Sequence, residues 1–337
     1  MTPPSHPVQR PSITAAPPVA PLLSYLDVAE EVRAAVQRGG AVVALESTVL
    51  AHGLPWPENL EVARTMEARI REQGAVPATI AIVGGRIRVG LDDDTLLRIA
   101  RERSAFVKAG IGDLSPLLCA GGDGATTVSA TAFAAARAGI PIFATGGIGG
   151  VHRGDSWDIS SDLTVLGSER VIVVSAGAKA ILDLPRTLEY LETLGVPVVG
   201  YGTDELPAFY VPHSGLPLSH RIDTPAQAAA LIHTHFALGA RGSLLLCNPI
   251  PAEAALAADP MERALTAALA AAAEGKVAGK HLTPFLLARV AQETGRQSVH
   301  ANIALLLHNA RTAAEIAVAL AAHPGWQSLA PWRKSAS

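Results

Sequence analysis

The feature that most constrains the fold is an alternation of short apolar runs with longer amphipathic segments along most of the chain. Each apolar run has the length of a buried strand, and each intervening segment has the three-to-four-residue periodicity of a helix. This alternation predicts β-α-β crossovers and a parallel sheet covered by helices on both faces. We therefore predict an α/β fold, an α/β/α sandwich with a mainly parallel central sheet.

The same pattern predicts where the elements lie. The predicted strands are residues 41–45, 79–83, 105–108, 141–145, 171–175, 197–201 and 243–247. The predicted helices are residues 58–73, 94–103, 127–138, 185–194, 225–238, 260–274, 283–294 and 298–322. Residues 86–89 follow the pair Gly84-Gly85, which favours a hairpin with the preceding strand.

One continuous domain is predicted for residues 22–323, because no repeat and no Gly/Ser-rich linker interrupts them. Residues 1–21 contain seven prolines, which predicts a disordered tail, with a polyproline ligand for a partner as the alternative. Residues 324–337 are predicted to be an irregular C-terminal tail, although Trp326 and Trp332 could pack back onto the domain.

Composition argues against several classes of partner. A net charge of -3 gives no general attraction to nucleic acid or anionic lipid, and 4% aromatic residues argue against a base-stacking platform. No run of eighteen apolar residues is free of Gly, Pro and charge, so no membrane span is expected. The N-terminus does not resemble a signal peptide, and Cys119 and Cys247 suggest reduced thiols rather than a zinc site. We expect a cytoplasmic protein.

Polar residues follow the predicted strands. Glu46, Lys108, Lys179 and Asn248 each come at or just after the end of an apolar run, and residues 146–154 follow another. Ligands of parallel sheets bind at the carboxyl ends of the strands, so these residues are expected to meet at one rim. Taken singly, Glu46 and Lys108 could be surface residues and Lys179 could be structural.

Lys179 is the strongest candidate for a nucleophile. It follows Ala176-Gly177-Ala178, and an apolar setting or a nearby cation such as Lys108 would lower its pKa and free its amine to attack a carbonyl. The segment 146–154 combines five glycines with His152 and Arg153, which suggests close approach of the backbone to a ligand, and Arg153 suits a phosphate.

Two other segments have open interpretations. Residues 121–127 could bind an anion at a helix N-terminus or could form a simple turn and cap, and they match neither the P-loop nor the dinucleotide-binding fingerprint. Asp155, Asp158 and Asp162 could hold a divalent metal or could form a solvated turn. The histidines at 213, 220, 233 and 235 are interpreted as surface or core residues.

Several blocks of sequence resemble those of one enzyme family. LEST at 45–48, AHGLP at 51–55, GAVPATIAIVGG at 74–85, GATTV at 124–128, FATGGIGGVHRG at 143–154 and DIS at 158–160 are similar to pseudouridine-5′-phosphate glycosidases. So are AGAKAILD at 176–183, NPIP at 248–251 and TPFLLARV at 283–290. These blocks occur in the family's order and cover roughly residues 25–320, and the segment between Arg153 and Asp158 is slightly shorter than usual.

The resemblance implies roles for individual residues. It implies that Glu46 is the proton donor and Lys179 the nucleophile, and that Asp158 binds the metal mostly through water. The other implied or candidate substrate contacts are Lys108, Val128, His152, Arg153, Ser160, Ser161, Asp162 and, facing the uracil, Asn302. It also implies a homotrimeric enzyme that uses a divalent metal, typically Mn²⁺, and no organic cofactor.

The implied reaction is reversible conversion of pseudouridine 5′-phosphate and water into uracil and ribose 5-phosphate. Because the base is attached through carbon, no leaving heteroatom can be protonated, in contrast to ordinary glycosidases. An imine between Lys179 and the ring-opened sugar would supply an electron sink, with Glu46 moving protons. Arg153 and the Thr126-Thr127 region are the hypothetical phosphate anchor.

Three other functions stay open at this point. An N-glycosidase or a phosphosugar isomerase on a related sheet would use the same rim, and a non-catalytic phosphosugar-binding module would leave Lys179 unreactive. A nicotinamide dehydrogenase is less favoured, because the glycine-rich segments lack its fingerprint and the acidic residue downstream.

Overall fold

Eleven strands form one sheet in the part of the chain that the structure, a computed structural model, describes: residues 22–154, 157–277 and 282–326. Numbered β1 to β11 in chain order, they are Leu26–Val28, Val42–Glu46, Val76–Val83, Arg86–Val89, Val107–Ala109, Gly124–Thr126, Ile142–Ala144, Ile172–Ser175, Val198–Tyr201, Arg221–Ile222 and Leu244–Cys247. Their spatial order is β1-β4-β3-β2-β7-β8-β11-β9-β10, with β6 paired to β3 and β5 to β6. All pairs are parallel except β3 with β4 and β3 with β6.

Helices connect and flank these strands. In the described residues α1 to α11 are Glu30–Gln37, Glu58–Glu72, Asp93–Arg101, Leu114–Cys119, Val128–Arg137, Ser161–Leu166, Leu184–Thr193, Pro225–Ala237, Ala258–Glu274, Leu282–Glu293 and Gln297–Ala322. Side-chain caps define several starts: Asp92 accepts from Thr95 N at 2.8 Å, and Asp183 accepts from Arg186 N at 3.0 Å. Such caps satisfy amide groups that the first helical turn leaves unpaired.

The predicted α/β architecture with a mainly parallel central sheet is confirmed. Strands β8 and β11 are buried along their whole length, because helices cover a parallel sheet and each strand can then be apolar throughout. The predicted hairpin of β3 with β4 is also confirmed, and Gly84 and Gly85 in its turn both have positive φ. One hydrophobic cluster extends from Val32 to Trp326.

Several short elements were not predicted. Residues 121–127 were expected to be a loop before a helix, but Gly124–Thr126 is strand β6. Ser47 and Thr48 hold it in place, since Thr126 N donates to Ser47 Oγ at 2.9 Å and Thr48 Oγ1 donates to the Ala125 carbonyl at 3.0 Å. Helices α1, α4 and α6 were missed as well, because six to eight residues show too little periodicity to be recognised.

Two expected strand ends differ from the prediction. Glu46 is the last residue of β2 rather than the first residue after it. Lys108 is in the middle of β5, which pairs with β6 and therefore runs antiparallel to β3. Lys108 consequently does not follow a strand of the main parallel sheet. Its position at the rim depends on the pairing of β5 with β6 instead.

Helix α11 packs against β2, β7 and β8 and lies beside α2 and α8. By length and composition alone it could cross a bilayer. More than half of its most apolar window is buried inside the protein, which is typical of a core helix. This helix brings its N-terminal half to the carboxyl ends of the strands.

The predicted tails fall mostly outside the described residues, namely 1–21 and 327–337, as do Asp155 and Ser156. The start of the predicted C-terminal tail is described, and there Trp326 packs against Phe236 and is only 5% exposed. The structure therefore places Trp326 on the domain, as the alternative for this tail anticipated.

Candidate active site

A cavity of about 680 Å³ opens at the carboxyl ends of β2, β7 and β8. A cavity of this size can enclose a small phosphorylated ligand. It brings together most of the residues singled out in the sequence, which are Glu46, Lys108, His152, Asp158, Ser160, Ser161, Asp162, Lys179 and Asn302. The rim expected from the strand ends is thus one continuous site.

Glu46 places its carboxyl group in this cavity. The Thr145 hydroxyl donates a hydrogen bond to Glu46 Oε1. Burial is the main cause that raises the pKa of Glu46 above its usual value, and the charge of Lys179 and the Thr145 hydrogen bond oppose the rise. Asp162 adds to the rise and Lys108 opposes it. The carboxyl group can therefore keep a proton closer to neutral pH than a solvated glutamate can.

Lys179 lies in a turn that is locked to the glycine-rich loop. Its backbone N–H donates to the Ile148 carbonyl at 3.1 Å, and Ile148 N donates to the Gly177 carbonyl at 3.0 Å. Gly177 has a φ of +77°, and a Cβ there would lie 2.5 Å from the Pro207 carbonyl oxygen. Only glycine fits this turn without strain, so its backbone fixes where the Lys179 side chain enters the cavity.

A hydroxyl cluster, Thr127, Ser129 and Ser161, lies at one end of the site. Ser129 Oγ is 3.1 Å from Thr127 Oγ1 and 3.2 Å from Ser161 Oγ, and it accepts from Ile111 N at 3.2 Å. Thr127 precedes α5 and Ser161 begins α6, so two helix N-termini meet here. Partial positive charge and hydroxyl groups at such a junction suit an anion.

Asp162 holds this end together. It is 5% exposed, Oδ1 accepts from Ser129 N at 2.9 Å, and Oδ2 accepts from Gly149 N at 2.8 Å. A Cβ on Gly149 would lie 2.7 Å from Asp162 Oδ2 and 2.2 Å from Ser160 Oγ. The glycine-rich loop was expected to approach a ligand, whereas at Gly149 the close approach is to the protein's own side chains.

His152 and Asp158 also line the cavity. Burial lowers the pKa of His152, and the charges of Lys108 and Lys179 lower it further while Asp158 opposes them. Among the described residues no three His, Cys, Asp or Glu side chains gather as a metal-binding group, and Asp155 lies outside those residues. Of the described residues here, Asp158 and His152 are the ones that could contact a divalent ion, which would then keep most of its water.

Arg153 does not line the cavity, so the structure does not bring it together with the other candidate residues, and its role in a phosphate anchor stays a prediction. Its Nε donates to the Leu182 carbonyl at 3.2 Å, and its Nη1 is 3.2 Å from Glu262 Oε1. His152 lines the cavity, whereas these contacts hold the neighbouring Arg153 side chain at Leu182 and Glu262.

Two further expected contacts are also not on the cavity surface. The Val128 side chain is 1% exposed and belongs to the hydrophobic core, while its neighbour Thr127 lines the cavity. The Thr126 side chain is fully buried, donates to the Ile80 carbonyl at 2.6 Å and accepts from Thr131 Oγ1 at 2.9 Å. Thr127 alone of the Thr126-Thr127 pair is thus available to a ligand.

The cavity residues that were not selected from the sequence include His52, Thr145 and Phe209. Burial lowers the pKa of His52, whose block AHGLP was noted without assigning the histidine a role. Phe209 has a φ of +66°, rare for an aromatic residue, and its ring lies against Gly147. Nothing in the local pattern distinguishes Thr145 or Phe209, because their importance comes from contacts distant in sequence.

Comparison with known proteins shows a long match. The family model described as "Indigoidine synthase A like protein" matches residues 31–319. A pseudouridine-5′-phosphate glycosidase of Caldanaerobacter subterraneus subsp. tengcongensis is 50% identical over 298 residues, which cover 88% of this chain and 97% of the relative.

Two solved structures are similar over the same extent. The prealnumycin C-glycosynthase AlnA in complex with ribulose 5-phosphate has a TM-score of 0.82 and 40% identity, and covers 88% of this chain and 97% of its own. An indigoidine synthase A-like protein of Thermotoga maritima has a TM-score of 0.81 and 37% identity, covering 88% and 96%. The family match over residues 31–319 includes β2, β7 and β8, at whose ends the cavity opens.

Proposed function

The chain belongs to the pseudouridine-5′-phosphate glycosidase (indigoidine synthase A-like) family, and from this premise we propose that it cleaves the carbon–carbon bond of pseudouridine 5′-phosphate. The products are uracil and ribose 5-phosphate. The observation that carries the proposal is that Glu46 and Lys179 line one cavity, close enough for the charge of Lys179 to lower the pKa of Glu46. An acid and an amine so placed can act on the same bond.

The proposed first step opens the sugar. The C1′–O4′ bond breaks, O4′ takes a proton from Glu46, and the Lys179 amine bonds to C1′. The proton that the lysine nitrogen then loses returns to Glu46. This sequence leaves the sugar as an open chain joined to both uracil C5 and the lysine nitrogen.

The proposed second step separates carbon from carbon. Glu46 protonates uracil C5, the nitrogen lone pair of Lys179 forms a C1′=N bond, and the electron pair of the C1′–C5 bond returns to the uracil ring. Water then hydrolyses the imine, which releases ribose 5-phosphate and restores the amine. The raised pKa of Glu46 supports its part, because a carboxyl group that is still protonated near neutral pH can donate.

The hydroxyl cluster is the proposed phosphate site. It lies at the N-termini of α5 and α6, and Lys108 lines the same cavity. Binding energy from a phosphate held there can orient the distant sugar carbon. Asn302, which lines the cavity from α11, remains the proposed uracil contact.

A divalent metal, with Mn²⁺ the expected ion, is proposed near Asp158. Asp158 and the neutral His152 would hold it mostly through water, and it would supply positive charge to the substrate.

A homotrimer and a cytoplasmic location stay predictions. Light scattering tests the first, since a trimer has three times the chain mass of 34.8 kDa.

The similarity to AlnA supports chemistry at a carbon–carbon glycosidic bond. That protein is a C-glycosynthase in complex with a pentulose phosphate. A site that stabilises the same bond-breaking step also catalyses its reverse, so we propose that uracil and ribose 5-phosphate are joined when both are in excess.

The decisive test measures uracil release from pseudouridine 5′-phosphate, with and without Mn²⁺, and from uridine 5′-phosphate in parallel. Release from the first substrate alone supports the proposal. Release from uridine 5′-phosphate alone identifies an N-glycosidase, and release from neither contradicts the proposal in favour of a phosphosugar isomerase or a binding module.

A trapping experiment tests the nucleophile. Borohydride reduction with ribose 5-phosphate should add one sugar phosphate to the peptide that contains Lys179, and Lys179→Ala should abolish both the adduct and turnover. Lys108→Ala is the matched control, because Lys108 lines the same cavity yet is not expected to form the imine. An adduct that persists in Lys179→Ala at full yield contradicts the assignment.

A further inference from the structure

A buried amide network lies beneath the cavity floor. Asn309 in α11 donates from Nδ2 to the Thr145 carbonyl at 2.9 Å and to the Gly146 carbonyl at 3.4 Å. Asn248, just after β11, donates from Nδ2 to Asn309 Oδ1 at 2.9 Å and to Thr312 Oγ1 at 3.2 Å. The three side chains of the network, Asn248, Asn309 and Thr312, are 2%, 1% and 3% exposed.

The network connects the backbone segments after β7, β8 and β11, some of which contribute residues to the site. Thr145 directly follows β7, and its buried carbonyl group needs an N–H donor. Asn309 supplies that donor. The Gly146 carbonyl also accepts from Ala176 N at 2.9 Å, at the start of the turn that ends in Lys179. Asn248 N in turn donates to the Ser175 carbonyl at 2.8 Å. The ends of β7, β8 and β11 are thereby joined to one helix.

Thr145 transmits this constraint to Glu46. Its hydroxyl donates to Glu46 Oε1, and it is 1% exposed. A β-branched side chain has few allowed χ1 rotamers, so the orientation of the Thr145 backbone determines where its hydroxyl lies. A continuous series of contacts therefore runs from Asn248 through Asn309 and Thr145 to Glu46.

Helix α11 can link the cavity to this series of contacts, because one of its faces reaches both. Asn302, Leu306 and Asn309 are spaced by four and three residues, so they share one face of the helix. A Cβ on Gly146 would lie 3.3 Å from Leu306 and 3.5 Å from Asn302 Oδ1, which shows how closely this face approaches the loop. The same face lines the cavity at Asn302 and holds the loop at Asn309.

We propose that Asn309 is a positioning residue that holds the Thr145 and Gly146 backbone so that the Thr145 hydroxyl stays on Glu46. This inference rests on the proposed function in that Glu46 is the proton donor. Asn309 touches no reacting atom and acts through Thr145. A purely structural role, in which Asn309 only satisfies buried polar atoms, makes different predictions.

The test compares Asn309→Leu with Thr312→Val. Leucine cannot donate to Thr145, so kcat should fall about 10- to 100-fold while KM changes less than about threefold. The Thr145 hydrogen bond lowers the pKa of Glu46, so its loss should move the alkaline limb of the kcat profile to higher pH. Thr312→Val also removes a partner of Asn248 but leaves the Thr145 carbonyl bonded, so its limb should stay in place.

Thr145→Val provides a second, independent measurement. It should shift the limb in the same direction, and the double variant Asn309→Leu/Thr145→Val should shift it no further, because both act through one hydrogen bond. An unshifted limb in either single variant, an equal shift in Thr312→Val, or an additive shift in the double variant overturns the proposal. If leucine at 309 prevents folding, Asn309→Ala, which also removes the donor to Thr145 and adds no charge, takes its place.

A substrate-free measurement separates this proposal from the proposed function. The infrared band of a protonated carboxyl group, identified as Glu46 by its absence in Glu46→Gln, is titrated in each variant. Persistence of this band to higher pH in Asn309→Leu, but not in Thr312→Val, supports the positioning role even if pseudouridine 5′-phosphate is not the substrate. An unchanged titration refutes the role even if the enzyme is active.

Discussion

Two partly buried glutamates in separate regions of the molecule have nearly the same local chemistry. Glu46 ends β2 at the cavity and accepts a hydrogen bond from the Thr145 hydroxyl. Glu67, on α2, accepts from Thr79 Oγ1 at 2.6 Å. In both, burial is the main cause that raises the pKa above its usual value, and the threonine hydrogen bond opposes the rise.

The two regions differ in what surrounds the carboxyl group. Glu46 lines a cavity of about 680 Å³ together with Lys179 and Lys108, whose charges act on it. The charges near Glu67 belong to Arg71, Asp93 and Glu31, and Arg71 is itself paired with Glu31. A raised pKa is thus shared by a candidate acid and a structural carboxyl group, and only a cavity with an amine distinguishes the first.

Of the substitutions that separate the two glutamates, Glu46→Gln should have the largest effect on kcat. Glutamine keeps the acceptor for Thr145 but has no acidic proton, so kcat should fall about 10³-fold with little change in KM. Glu67→Gln is the matched control and should stay within about twofold of the wild type, since Glu67 does not line the cavity. Steady-state uracil release measures both, and similar losses in the two variants would show that the cavity is not what matters.

Asp162→Ala should have the next largest effect, on stability. Ser129 N and Gly149 N would lose their acceptor, which should lower the free energy of unfolding by about 2–4 kcal/mol. Asp162→Asn keeps one acceptor oxygen and should lose roughly half as much. Denaturant titration provides the values, and equal stability of Asp162→Ala and the wild type would contradict the proposed bracing of the hydroxyl cluster.

The pH dependence of stability should show what the two glutamates share. For both, the folded pKa lies above the usual value of 4.5, so the stability due to the protonated form is present below pH 4.5 and is lost as the pH rises through the folded pKa. Relative to Glu46→Gln and Glu67→Gln, the wild type should therefore become less stable as the pH increases. Unfolding curves measured at several pH values test this, and a wild-type advantage that grows with pH would have the wrong sign.

Arg153→Ala should have the smallest effect, because position relative to the cavity decides function. Arg153 adjoins His152 in sequence but pairs with Glu262 outside the site. We expect KM for pseudouridine 5′-phosphate within about twofold of the wild type and a stability change below about 1 kcal/mol. A large rise in KM, specific to the phosphorylated substrate, would restore Arg153 to the phosphate anchor.

Much of the fold could be predicted because its signal is local. Strands buried on both faces leave continuous apolar runs, and Ile172–Ser175 and Leu244–Cys247 lie within one residue of their predicted starts. Strand Gly124–Thr126 could not be predicted, since Ser47 and Thr48, more than seventy residues earlier, hold it in place. Short elements of this kind depend on tertiary partners rather than on periodicity.

The candidate site was predictable in part for the same reason. The strand-end rule placed Glu46 and Lys179 at one rim, and the structure lines one cavity with both. The rule could not decide that His152 faces inward and Arg153 outward, because the orientation depends on how residues 151–153 pair with their neighbours. It also could not find Thr145, whose hydroxyl matters only because Glu46 is beside it.

By itself, the sequence determined the α/β class, the order of the main elements and the family, because apolar periodicity and motif blocks are properties of consecutive residues. Tertiary structure alone decided which residue of the His152-Arg153 pair enters the cavity and which amide supports Thr145. The physical reason is that burial, charge and hydrogen bonding act between side chains that are close in space, and the fold brings together residues that lie 99 and 164 positions apart.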